Sequence, residues 1–151
     1  RYWLQKIAQH DGVAEALGEY LQDLAEATAG LVPDGGNDAP LAPDVQVAVS
    51  SGLATMKAAL AASCCGAGRD PLGCASIIDP ASCGPDEEVQ TDARLGVPAT
   101  VGQLRAVASF AQAKRTAART STELLTRNIT QTAGRVSAMC EELSAVLTTA
   151  P

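Results

Sequence analysis

The residues with the most chemistry in this 151-residue chain are its five cysteines. Four of them, Cys64, Cys65, Cys74 and Cys83, crowd together with the spacing CC-x8-C-x8-C, while Cys140 stands far downstream. A structural zinc site uses cysteines typically two to four residues apart, often with histidine. Neither feature is present, and the one histidine, His10, falls in a different predicted helix. Sulfur cross-links suit the pattern better. The segment 64–97 is rich in glycine and proline and has little apolar side chain to order it, and disulfides commonly order such segments. Two bridges joining Cys64 and Cys65 to Cys74 and Cys83, in either pairing, are expected. Reduced thiols, or a bridge reaching Cys140, are the alternatives. Cys140 lies on a predicted apolar stripe roughly 60 Å along its helix from Thr100, which in an up-down-up bundle keeps it away from the other four. It therefore reads as a buried free thiol or a link to a further segment.

Other reactive constellations are absent from the sequence. There is no G-x-S-x-G, H-E-x-x-H or P-loop motif, and a single histidine excludes most histidine-dependent triads. No catalytic, cofactor-binding or metal-ligating residue is assigned, no cofactor is expected, and the chain reads as a non-enzyme. Asp86, Glu87 and Glu88 cluster where a short helix from Pro85 to Ala93 is expected, and helix-dipole stabilisation accounts for them. His10 reads as a hydrogen-bonded residue at a helix interface, and Tyr2 and Trp3 as a plug at the bundle end. Asn128-Ile129-Thr130 is an N-x-T acceptor, so Asn128 is a glycosylation candidate.

Three helices must position these groups. In the first, about 2–29, Trp3, Ile7, His10, Ala14, Leu17, Leu21, Leu24, Thr28 and Leu31 recur by fours and threes, predicting one buried stripe. Gly30, Leu31-Val32 and Pro33 read as its stop signal. The second, about 44–63, is expected to start at Asp44 as N-cap and to bury Val45, Val49, Leu53, Met56 and Leu60. The third, about 100–148, opens with Thr100 and Gln103 in capping-box spacing. Its predicted stripe is Leu104, Val107, Ala111, Ala118, Leu125, Ile129, Val136, Cys140, Leu143 and Leu147. At 1.5 Å per residue the three measure roughly 40, 30 and 70 Å. The last therefore outreaches its partners and leaves apolar surface to be covered. No internal repeat stands out. The expected fold is all-α: a single elongated antiparallel three-helix bundle with one long C-terminal helix and a Cys-rich irregular loop, 64–97, containing a short helix.

Composition agrees. Apolar types make up 46% and aromatics only 3%, with Ala and Leu in place of the β-branched and aromatic residues that fill β-sandwiches. No unbroken apolar run reaches the length of a membrane span, so direct membrane insertion is not expected. The net charge of −6 divides into −9 for residues 1–97 and +3 for 98–151. Six dispersed basic residues without interleaved aromatics make a poor nucleic-acid face. An acidic first helix (Asp11, Glu15, Glu19, Asp23, Glu26) lying beside a basic third one explains the split.

The helix 117–125 (AARTSTELL), the Ala-rich stretch 51–63 (SGLATMKAALAAS), the Cys-rich loop and the sequon together resemble, in texture over most of the chain, the helical-bundle surface glycoproteins of kinetoplastid parasites, the variant surface glycoproteins among them. That resemblance implies an elongated antiparallel bundle with loops at its exposed end, in the role of coat, shield or receptor facing a host macromolecule. It carries over no functional residue. The sequence is thus read as a secreted or membrane-anchored, extracellular or cell-surface bundle that acts as coat or binding module through its disulfide-pinned loop, with a protein partner or self-association. The alternative is a cytoplasmic scaffold or adaptor bundle with all thiols reduced, whose long helix packs on partner helices.

Overall fold

A computed structural model describes residues 2–29 and 36–149; the predicted stop signal at Gly30–Pro33, with Leu31, lies outside them. Three helices dominate: α1 (Tyr2–Thr28), α2 (Pro43–Cys64) and α3 (Val101–Thr149). The chain is all-α, with one long C-terminal helix, and no strand occurs among the described residues. Single-turn 3-10 helices at Gly36–Asp38, Pro71–Cys74, Pro80–Cys83 and Ala93–Leu95 punctuate the connections.

α1 packs against both α2 and α3. The beginnings of α2 and α3 are tied together by a short antiparallel bridge, in which the Leu41 N–H donates to Ala99 O (2.9 Å) and the Val101 N–H to Ala39 O (3.0 Å). α2 and α3 therefore start side by side, and both run antiparallel to α1, since Gly12 faces Ser63, Gly18 faces Arg115, and Tyr2 lies beside Leu124. The order is up-down-down and not the expected up-down-up, because residues 65–100 carry the chain back along the bundle before α3 begins. α2 starts with Pro43 in its first turn after an extended Ala42, which is the N-cap in place of the expected Asp44. Proline is suited to that position because its missing N–H would have no helical partner, and Asp44 one residue later favours the positive helix end. The predicted cap on α3 is present. The Gln103 N–H donates to Thr100 Oγ1 (3.2 Å) and Gln103 Oε1 accepts from the Ala99 N–H (2.8 Å).

The α2 stripe is buried as predicted, at Val45, Val49, Leu53, Met56 and Leu60. In α1 the buried face is rotated from the expected one. Gln9, Val13, Ala14, Ala16, Leu17, Tyr20 and Leu24 are buried, whereas Trp3 is 52% exposed and Ile7, His10, Leu21 and Thr28 are only half-buried. The reason is that α1 has neighbours on two sides, so its apolar face must be broader than a single heptad seam. Close approach fixes the crossings: a Cβ on Gly12 would collide with Ser63 of α2, and one on Gly18 would press on the Arg115 guanidinium of α3.

By length and hydropathy alone, α2 is one helix that could cross a membrane, contrary to the expectation that none would. Alanine is the reason: with few charges in the window, many small apolar residues raise the mean hydropathy without forming a long unbroken run. Val45, Val49, Leu53, Met56 and Leu60 are in the protein core, and Val47 is exposed.

Candidate functional site

The segment 65–100 does not hang from the end of the bundle. It leaves α2 beside the first turns of α1 and returns to the start of α3, adding Cys74, Ile77, Ile78, Val89 and Leu95 to the core. Two glycines reverse the chain on leaving α2, Gly66 (φ 104°) and Gly68 (φ 76°), both in the left-handed region that disfavours a Cβ. The chain then repeats one local device. In Asp70-Pro71-Leu72-Gly73-Cys74 and again in Asp79-Pro80-Ala81-Ser82-Cys83, an aspartate carboxylate accepts from the N–H two residues on (3.0 Å each), Pro opens a 3-10 turn, and Cys closes it. This Asp-Pro-x-x-Cys repeat is legible in the sequence and was the signal that sequence reasoning missed. It sets two cysteines nine residues apart on equivalent turns, each able to meet one of the adjacent pair at the end of α2.

Cys64 lies at disulfide distance from Cys74 (Cα–Cα 5.9 Å) and Cys65 from Cys83 (5.4 Å), which selects one of the two pairings left open. The first pair is buried and the second half-buried. Gln9 of α1, itself buried, donates through Nε2 to Asp70 O (2.7 Å) and to Cys74 Sγ (3.2 Å), and Lys6 forms an ion pair with Asp70. The hydrogen bond from Lys6, helped by the Gly73 and Leu72 N–H groups, holds the Asp70 carboxyl below its ordinary pKa.

The expected helix from Pro85 to Ala93 does not form. The Asp79 N–H donates to Gln90 O (2.8 Å), the Asp92 N–H to Ile77 O (2.7 Å), and the Gln90 N–H to Ser82 Oγ (2.8 Å). An isolated helix of nine residues is marginal in water, whereas this arrangement pairs backbone groups of Gln90 and Asp92 and buries Val89. Asp86, Glu87 and Glu88 are left exposed at the tip, and Leu72 is exposed nearer α1. Further along, Arg94 lies over the Phe110 ring (4.3 Å to the centroid) and forms a two-pronged pair with Asp92. Its hydrogen bonds lower the Asp92 pKa to about 2.

On the α3 side of the first turns of α1, Tyr2, Trp3, Lys6 and His10 border a cleft of about 310 Å³ with Ser121, Leu124 and Leu125. Tyr2 and Trp3 meet edge to face but remain largely exposed, so they do not form the closed plug expected of them. His10 is half-buried without a side-chain hydrogen bond among the described residues. Burial, then the nearby Lys6 charge, pulls its pKa below the ordinary imidazole value. Asp11, Glu15 and Glu19 of α1 border a groove with Arg115 and Arg119 of α3, so the acidic and basic halves do lie side by side.

Cys140 is a free, exposed thiol and not a buried one. The α3 stripe is buried at Val107, Ala111 and Ala118 and half-buried at Leu104, Leu125 and Ile129; Val136, Cys140, Leu143 and Leu147 are exposed. The cause is length: the first turn of α1 lies beside Asn128–Ala133, and the more than four turns of α3 beyond Ala133 have no neighbour among the described residues. Asn128 is exposed on α3, next to Trp3. Among the described residues no group of three or more His, Cys, Asp or Glu side chains is placed to hold a metal ion. No protein-family model, curated protein or solved structure matches the chain.

Proposed function

We propose that this chain is the helical-bundle body of an extracellular or cell-surface protein that serves as a coat or binding module and carries out no reaction. The observation that carries this reading is the pairing of four cysteines across a segment that supplies part of the core, since sulfur links of that kind persist in oxidising compartments. The surface offered to a partner is the outer edge of that segment, where Leu72 and the acidic tip Asp86–Glu88 stand free on a cross-linked base. Rigidly mounted irregular segments are where binding residues concentrate. Texture shared with kinetoplastid surface glycoproteins, and an exposed sequon at Asn128, favour the same placement.

A thiol titration in denaturant without reductant, with a non-reducing peptide map, tests it on protein purified from its natural source. One free thiol, assigned to Cys140, with Cys64–Cys74 and Cys65–Cys83 peptides, is the expected result. Five free thiols would overturn it and leave a cytoplasmic scaffold bundle as the better reading. A glycan on Asn128 would exclude that scaffold reading independently.

A further inference from the structure

We infer that the free end of α3 is an interface between two copies of this chain, joined as an antiparallel pair of helices. From Leu125 onward, Ile129, Thr132, Val136, Met139, Leu143 and Val146 recur strictly by fours and threes, the spacing of a coiled-coil seam. Ala111, Ala118 and Leu125 fall in the same seven-residue register, and there α3 is covered. Beyond Ala133 the seam continues uncovered: Met139 is 67% exposed and Val146 63%. The opposite side of this stretch is small or polar throughout, with Thr130, Gln131, Gly134, Ser137, Ala138, Glu141, Ser144 and Ala145. A face so sharply divided is built to be covered.

The residues flanking the seam point to the occupant. One flank carries Ala133, Cys140 and Leu147, and the other carries Arg135 and Glu142. In a parallel pair each flank meets the opposite flank of its partner, which would set Arg135 against Cys140 and Glu142 against Leu147. In an antiparallel pair like meets like. With Val136 facing Met139 of the second copy and Thr132 facing Leu143, Arg135 comes opposite Glu142 twice by symmetry. The apolar flanks close on each other. Charge complementarity therefore selects a second copy of this chain in antiparallel alignment.

Dimensions agree. The uncovered stretch is about twenty residues, roughly 30 Å, so two overhangs fit side by side with a bundle at each end. In that alignment Val146 of one copy reaches Ile129 of the other, where exposed Trp3 borders the seam and would be covered. Each side supplies fewer than the roughly 20–30 residues of a standard stable interface, so the dimer is a weak, concentration-dependent one.

Sedimentation velocity over a concentration series tests the proposal, with circular dichroism confirming that each variant remains helical. The wild-type chain is expected to pass from monomer to dimer. Arg135→Glu and Glu142→Arg should each weaken association roughly tenfold, by replacing two attractive pairs with repulsive ones, and the double variant should recover most of the loss. In a Cys140→Ser background, Thr132→Cys mixed with Leu143→Cys should form a disulfide-linked pair, and neither should link to itself. A chain monomeric at every concentration overturns the proposal. So does self-linking of Thr132→Cys, or a charge reversal that the double variant fails to rescue.

Discussion

The two cysteine pairs should not contribute equally, and the structure predicts their order. In the chain-entropy view, opening a loop closed by residues ten apart (Cys64–Cys74) costs about 2.7 kcal/mol, and one closed by residues eighteen apart (Cys65–Cys83) about 3.2 kcal/mol. Loop length alone thus ranks the second pair higher by about 0.5 kcal/mol. Burial reverses the order. Cys64 and Cys74 are inside the core, against α1, and replacing both with alanine also removes two buried sulfurs and leaves a small void, about 2 kcal/mol together. Cys65 and Cys83 are half-exposed and lose a quarter of that, about 0.5 kcal/mol. The expected losses are about 4.7 kcal/mol for Cys64→Ala/Cys74→Ala and about 3.7 kcal/mol for Cys65→Ala/Cys83→Ala. Guanidinium unfolding at neutral pH, followed by helical circular dichroism in a Cys140→Ser background, measures both. A greater loss from the second pair would refute the claim that burial outweighs loop length. Losses under about 1 kcal/mol for both would mean that Ile77, Ile78, Val89 and Leu95 order the segment without sulfur.

Three further outcomes follow from single side chains. Tyr20 is 1% exposed and its hydroxyl is buried without a hydrogen-bond partner among the described residues, so Tyr20→Phe should stabilise the protein by about 1 kcal/mol, read as a melting-temperature rise of about 3 °C. Burial, then the Asp23 charge, raises the Tyr20 pKa to about 12, so the folded state holds its proton longer than the unfolded one. Wild-type stability should therefore fall as pH rises from about 10 to about 12, and the phenylalanine variant should lose that component. Asp92, held at about 2 by Arg94, has the opposite sense: the unfolded chain takes up its proton first. Its stabilisation is present at neutral pH and is lost as pH falls from about 4 to about 2, a dependence that Asp92→Asn should flatten in acid-unfolding curves. Gly134 has open space around it in the uncovered part of α3 and faces away from the proposed seam. Gly134→Ala should raise helicity, stabilise that stretch by about 1 kcal/mol and leave dimerisation unchanged in sedimentation.

Periodicity was enough to locate all three helices because it records the burial that forms them. Val45, Val49, Leu53, Met56 and Leu60 mark α2 in the sequence and are its buried face in the structure. Length followed from the same reading, including an α3 that outreaches its partners, because rise per residue is a local constant. The clustered cysteines and glycines likewise announced a segment that would need cross-links. Other features depended on which elements meet. The buried face of α1 turned toward Val13, Ala16 and Tyr20 because two helices flank it, and Trp3 and His10 thereby lost their expected core positions. Residues 85–93 had the proline and acids of a helix start, yet Ile77, Asp79 and Ser82, distant from most of them in local terms, offered their backbone groups better partners. Cys140 lies on an apolar stripe in the sequence and in open solvent in the chain, because a stripe states what a helix can bury and only a neighbour in space can bury it.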